Sequence, residues 1–348
     1  MILDTKDEST GHRSPITVYH LPIVVYLKTI KIKSTIETTL QTHNLTLGYT
    51  TGRSENRLFE SLNVSLPPGQ LVCLMGPNGS GKSTLIRTLA RLQRPLSGTL
   101  SENNEKSIAL VLTDRVTSSS MSVYELITFG RYPYLGWNIA LTLDDKHIVD
   151  EVIQEVRIQH LVDKKINELS DGQVQMAMIA RALAQRTPIL LLDEPTAHLD
   201  LNNRLEIMNL LRKLARTQHK AILVATHELD LALQTADRIW LATPDKKIKV
   251  GIPEDLVLDG SLDDVFQFKG FDLKTGKINH EPHRGIAIAV AGTGHELLWT
   301  KNALERNGFE ISGNGKIEVV IESGKSLAWR IGEKRFSSLR DLVDGLKQ

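Results

Sequence analysis

Four short runs of unbroken apolar residues constrain this chain most: Leu71-Val72-Cys73-Leu74-Met75, Ile108–Leu112, Ile189–Leu192 and Ala221–Ala225. A strand with one wet face alternates apolar and polar side chains, whereas a strand covered on both faces does not, so these runs fit a parallel sheet between layers of helix. Segments with apolar residues at three- and four-residue spacing separate them, and the sequence therefore predicts an α/β core. With 348 residues, 41% hydrophobic and 24% charged, the chain has the length for two domains and the apolar content for a large core.

Charge and cysteine content remove several function classes. Lys and Arg number 42 against 41 Asp and Glu, a formal net charge of +1 with no basic block, so duplex nucleic acid has no electrostatic footprint here and is not expected as a partner. One cysteine, Cys73, allows no internal disulfide and points to a reducing compartment, the cytosol. The apolar stretch Ile16–Leu27 is shorter than the roughly 20 residues of a membrane-spanning helix and is interrupted by His20 and Pro22. Upstream, Asp4, Asp7 and Glu8 stand where a secretory signal carries positive charge, so no export is expected.

Along the chain, residues 1–38 read as an extension, 39–282 as the main domain and 283–348 as a small second α/β domain, with Asn279–Arg284 as linker. The main domain holds a helical insertion at about 118–186, with helices expected over Val123–Gly130 and Lys146–Val162. The tail reads strand (Ile286–Val290), helix (Glu296–Asn307), strands (Ile317–Ile321, Ser326–Ile331) and helix (Ser338–Leu346). In it, Ala291-Gly292-Thr293-Gly294 could bind a phosphate, or the tail could be a regulatory or dimer-stabilising module.

The strongest motif is Gly76-Pro77-Asn78-Gly79-Ser80-Gly81-Lys82-Ser83, set between the first apolar run and a helical run from Thr84 to Leu92. Glycines at these positions let backbone N–H groups close on phosphates, Lys82 adds a point charge, and the Ser83 hydroxyl suits Mg²⁺. The third apolar run ends in Asp193-Glu194, two carboxylates at the strand tip where α/β sheets bind ligands. Asp193 is placed to hold Mg²⁺ and Glu194 to polarise a water attacking the γ-phosphate.

With these motifs the chain resembles the ATP-binding cassette ATPases, the motor subunits of ABC transporters. Three further segments carry the resemblance: Leu169-Ser170-Asp171-Gly172-Gln173 before a helix Val174–Gln185, Ala197-His198-Leu199-Asp200, and His227 after the run Ala221–Thr226. It implies a P-loop NTPase cassette with a mixed core sheet, an antiparallel β subdomain and the helical insertion, binding ATP and Mg²⁺ and hydrolysing ATP. By the same resemblance Tyr49 stacks on adenine, Gly76 through Thr84 hold the phosphates, and Ser83 and Asp193 hold the metal. Lys82, Glu194 and His227 are then catalytic, while Ser170, Gly172, Gln173 and Asp200 contact ATP bound to a second copy, in a homodimer around two ATP.

Two positions depart from the family pattern: Thr113 stands where glutamine is usual, followed by Asp114-Arg115, and Asp171 where the signature has glycine. Phe129-Gly130-Arg131-Tyr132-Pro133-Tyr134-Leu135-Gly136-Trp137 gathers four aromatic residues, which suits either an interface or the insertion's own core. In the family this region receives a membrane permease. The Gly-Arg-Tyr-Pro wording, with that around His198 and His227, is similar to the importer subgroup for iron-siderophore, haem and cobalamin uptake. That implies a peripheral subunit on the cytoplasmic side of the inner membrane, acting with a permease and indirectly with a substrate-binding protein. A soluble ABC-type ATPase on a cytosolic assembly, or a catalytically weak regulatory nucleotide-binding module, are the alternatives.

Overall fold

The computed structural model describes residues 40–52, 54–101, 107–112, 120–136, 140–268, 271–274, 276–278, 280–322 and 326–347. The expectations for residues 1–38, for Thr113, Asp114 and Arg115, and for Trp137 lie outside the described residues.

The chain begins with an antiparallel sheet in which β1 (Leu40–Thr51) pairs with β2 (Ser54–Leu62), β3 (Ser65–Leu66) and, further on, β5 (Ser97–Leu100). The Pro67-Pro68-Gly69 turn leads into β4 (Leu71–Met75), and the Gly-rich loop then opens α1 (Lys82–Leu89). The remaining core strands are β6 (Ile108–Val111), β7 (Ile189–Asp193), β8 (Ala221–Ala225), β9 (Arg238–Ala242) and β10 (Ile248–Gly251). They form a six-stranded sheet in the order β10-β9-β4-β8-β7-β6, parallel except for the edge strand β10.

The absence of alternation in the apolar runs has its cause in this sheet. On one face Leu71, Cys73, Met75, Leu190, Leu192, Ile222 and Val224 join the core shared with the helices that follow. On the other, Val72, Leu74, Leu191, Leu223 and Trp240 pack with α1 and with Leu40, Leu45, Leu47 and Phe59 of the antiparallel sheet. β4, β7 and β8 are buried at every position, each leaving only its C-terminal tip for chemistry.

Between β6 and β7 lies the helical insertion: α2 (Val123–Thr128), a 3-10 turn at Phe129–Tyr134, α3 (Leu143–Val156) and α4 (Asp171–Leu183). α3 starts earlier than its apolar spacing indicates because Thr142 and Asp145 form a reciprocal capping box, and it ends at Arg157 in a left-handed conformation (φ 62°). α5 (Leu201–Gln218) and α6 (Leu229–Thr235) follow β7 and β8. After β10 come α7 (Pro253–Leu258), α8 (Ser261–Phe266) and a small pair, β11 (Phe271–Asp272) with β12 (Lys277–Ile278).

The tail builds its own five-stranded sheet in the order β14-β13-β15-β16-β17, from β13 (Ala287–Ala291), β14 (Glu310–Ile311), β15 (Ile317–Glu322), β16 (Ala328–Ile331) and β17 (Lys334–Phe336). α9 (Gly294–Arg306) and α10 (Leu339–Lys347) pack on it through Leu304, Leu342 and Val343, around Ile288, Phe309, Val319 and Trp329. The two short strands β14 and β17 were not expected. Gly292 owes its size to packing, since a Cβ there would stand 2.8 Å from Ile321 Cδ1, and the Glu296 carboxylate lies 3.0 Å from where a Gly294 Cβ would be. A carboxylate covering the start of α9 leaves that turn ill suited to phosphate.

Candidate functional site

The tips of β4, β7 and β8 converge on one site. After β4 the chain turns through Gly76 to Ser83, with Ser80 N–H donating to the Pro77 carbonyl at 3.2 Å. Two glycines are required by geometry. Gly81 caps α1 at φ 95°, and a Cβ on Gly76 would meet Ala242 Cβ at 2.7 Å. Ser80 Oγ is buried with no hydrogen-bond partner among the described residues. Lys82 is buried too, and its ammonium donates to the carbonyls of Gly76 (2.9 Å) and Pro77 (3.1 Å). Burial pushes its pKa below the ordinary lysine value, opposed by the carboxylates of Glu194 and Asp193.

Ser83, the second residue of α1, donates from Oγ to Asp193 Oδ1 at 3.1 Å, joining the loop to the end of β7. Asp193 is buried, and that burial raises its pKa, while the Ser83 hydrogen bond works in the opposite direction. Glu194 follows in a left-handed backbone conformation (φ 51°) that side-chain-bearing residues seldom adopt, held by its N–H donating to the Ala225 carbonyl at 2.9 Å. This turn brings Glu194 Oε2 to 2.6 Å from His227 Nδ1, which donates to it. Tyr49, exposed on β1, shares a 2.7 Å hydrogen bond with Thr84 Oγ1 and so stands at the start of α1.

Thus Tyr49, Gly76–Thr84, Asp193, Glu194 and His227 come together. Ser170, Gly172, Gln173 and Asp200 form a second group. Ser170 and Gln173 close a capping box at the start of α4, and Asp171, exposed, is the first residue of that helix. The Asp200 carboxylate caps α5, accepting from Asn203 N–H at 2.9 Å, and Asn203 in turn sits where a Cβ on Gly172 would be 3.0 Å away. Among the described residues no hydrogen bond joins this group to the Gly-rich loop.

Arg204 and Glu228 are charged neighbours of these residues to which the sequence assigned no role, although Glu228 falls within the wording around His227. Arg204 Nη1 pairs with Glu228 Oε1 at 2.7 Å, and that same oxygen lies 3.7 Å from His227 Nε2. The signal available in the sequence was a cation in the opening residues of α5, close to the unfavourable end of a helix dipole.

Comparison with known proteins gives the family. The ABC transporter family model matches residues 59–197, and the iron ABC transporter C-terminal domain matches residues 285–347. An uncharacterised ABC transporter ATP-binding protein of Methanocaldococcus jannaschii is 35% identical over 279 residues, covering 74% of this chain and 94% of its own. The chain belongs to the ABC transporter ATP-binding proteins. It is an ATP-hydrolysing enzyme of that family, and its cassette fold and importer kinship are those implied by the motifs.

Among ABC relatives, the iron(3+)-hydroxamate import ATP-binding protein of Bacillus subtilis is 34% identical over 239 residues, 66% of this chain and 87% of that protein. A solved metal-chelate type ABC transporter in an inward-facing conformation matches with a TM-score of 0.60 and 28% identity, over 66% of this chain and 89% of its own. A dimeric bacterial ABC transporter cassette matches at 0.54 and 26%, over 62% and 98%. Among the described residues, no helix is long and apolar enough to cross a membrane.

Proposed function

We propose that this chain is the ATPase subunit that energises uptake of an iron chelate, such as a siderophore complex or haem, through a separate membrane permease. The observation that carries the ATPase part is the meeting of Lys82, Ser83, Asp193, Glu194 and His227 at three adjacent strand tips. The iron part is supported by the match of the tail to the iron ABC transporter C-terminal domain and by kinship with hydroxamate import.

In this reading the loop N–H groups, Ser80 and Lys82 hold the β- and γ-phosphates of ATP, and the buried Ser80 hydroxyl gains the partner it lacks. The Ser83 hydroxyl and Asp193 carboxylate, both hard oxygen donors, fit Mg²⁺, and Mg²⁺ bound there would offset phosphate charge. Glu194 takes the proton from the attacking water, and His227 holds Glu194 and touches the γ-phosphate. Tyr49 stacks on adenine.

Ser170, Gly172, Gln173 and Asp200 complete the site of a second copy in a head-to-tail homodimer, an arrangement supported by the dimeric cassette to which the chain is similar. Permease docking falls near Phe129–Trp137, where Tyr132 and Tyr134 are 45% and 39% exposed and Leu143, nearby in the insertion, is 86% exposed. The chain then works as a peripheral subunit on the cytoplasmic face of the membrane.

The test is Glu194→Gln in the full-length chain. ATP binding should remain within about twofold while turnover falls at least about 100-fold, the usual weight of a general base. Turnover at the wild-type rate would remove Glu194 from this role. Copurification in mild detergent should bring a polytopic membrane protein with the chain, and a consistently partner-free chain would speak for a soluble ATPase.

A further inference from the structure

Arg204 is the fourth residue of α5, where a cation faces the positive end of the helix dipole. Its position is set by its partners. Nη1 pairs with Glu228 Oε1 at 2.7 Å, Nε donates to the Leu199 carbonyl at 2.6 Å, and both side chains are largely covered. Glu228 is the N-cap residue of α6, yet its carboxylate makes no capping bond. It turns instead to Arg204 and approaches His227 Nε2 at 3.7 Å. The other ring nitrogen, Nδ1, is on Glu194 at 2.6 Å. The Leu199 carbonyl, Arg204 and Glu228 are thus joined by close polar contacts, as are His227 and Glu194, and the Glu228 carboxylate lies beside His227 at 3.7 Å, outside hydrogen-bond distance.

A guanidinium suits its place between the Leu199 carbonyl and Glu228, because its planar fork fixes two acceptors in one geometry where an ammonium would be a single movable charge. An imidazole held at one nitrogen can still swing about that bond. With a carboxylate beside each nitrogen it is oriented.

We infer that Arg204 and Glu228 are positioning residues that set the orientation of His227 and tie it to the loop at residues 196–200. This rests on the roles proposed above for His227 and Glu194. The loop carries Asp200, assigned there to the second copy's site, so a movement of that loop on dimer formation reaches His227 through Arg204. Neither residue belongs to the phosphate-holding group, and their loss acts on turnover rather than on ATP affinity.

Steady-state ATP hydrolysis by the full-length chain tests this. Arg204→Ala and Glu228→Ala are each expected to lower kcat about tenfold with the KM for ATP within about twofold, and the double variant to be no slower than the slower single, as befits residues acting as one unit. Arg204→Lys, which keeps charge but not the fork, should stay slow, whereas Glu228→Gln, which still accepts from Arg204, should recover at least about half the rate. Independent, multiplying losses in the double variant, or a raised KM with kcat intact, would overturn the inference. Should Arg204→Ala fail to fold, Glu228→Ala and Glu228→Gln carry the same comparison. His227→Ala separates the two readings: if it is inactive while Arg204→Ala turns over normally, only the positioning role falls. If it turns over at the wild-type rate, the reading of His227 falls and takes this one with it.

Discussion

Arg131 is a charged residue enclosed by the helical insertion. Its guanidinium donates from Nε to Asp145 Oδ1 at 2.8 Å and from Nη1 to the Ala184 carbonyl at 2.9 Å, with both members of the ion pair less than a tenth exposed. Asp145 is held below the usual carboxylate range first by the Thr142 hydroxyl and then by Arg131. Removing one partner of a buried pair leaves the other charge desolvated, so Asp145→Ala should cost about 3–5 kcal/mol in a denaturant melt, and a loss under about 1 kcal/mol would show the pair to be solvated. The aromatic cluster around Arg131 read equally as interface or core, because the two share a composition. The structure divides it: Gly130 and Arg131 face inward, with a Gly130 Cβ only 2.2 Å from the Arg181 carbonyl, while Tyr132 and Tyr134 remain exposed. The phosphate-loop and strand-tip residues were legible because their chemistry allows few residue types. Arg204 and Glu228 were not, since an ion pair between two distant helix starts leaves no local pattern.

At the level of elements, helix starts departed most from sequence expectation. α4 begins at Asp171 rather than Val174, since the Ser170 and Gln173 capping box satisfies N–H groups upstream of the apolar stripe. β14 and β17 escaped notice because two or three residues carry no periodicity. α8 gives a pH-dependent prediction. Lys249 and Ser261 both bond to Asp259 at the start of this helix, and these bonds, that of Lys249 foremost, lower the Asp259 pKa to about 2. The folded value lies below the unfolded one, so the stability it contributes is present above the ordinary Asp value near 4 and is lost as pH falls through about 2. Asp259→Asn should therefore melt below the wild type at pH 6, and the gap should narrow to a minor fraction of that by pH 2. A gap at pH 2 as wide as at pH 6 would refute a charge-based origin.

On the scale of the whole molecule, among the described residues the tail's core draws only on residues from 286 to 346, apart from the two cores that sandwich the six-stranded sheet. Leu304→Ala, at a fully buried position of α9, should destabilise the tail by about 2–5 kcal/mol. Calorimetry is expected to resolve an earlier transition for the tail, with ATP hydrolysis retained beyond it. A single shifted transition would mean that tail and cassette unfold together. Three of the tail's five strands and both of its helices followed from apolar periodicity, whereas its kinship with iron transporters rests on no short motif in the tail.

Strands buried on both faces have one more consequence. Where one face is wet, a slip of one residue exposes the apolar set, so the hydrophobic pattern guards the pairing. β4, β8 and the Ile189–Leu192 stretch of β7 are apolar throughout, and such a slip would still bury oil against oil. What punishes it lies at the ends: Asp237 Oδ2 accepting from Leu71 N–H, Glu194 N–H donating to Ala225, and Thr226 N–H donating to Leu74. The polar residues flanking the greasy strands thus act as alignment pegs. A one-residue insertion inside Ile189–Leu192 would keep nearly all the burial yet carry Asp193 and Glu194 about 3.3 Å out of step with the loop. Selection on chemistry at those tips and selection on correct strand pairing therefore bear on the same few positions.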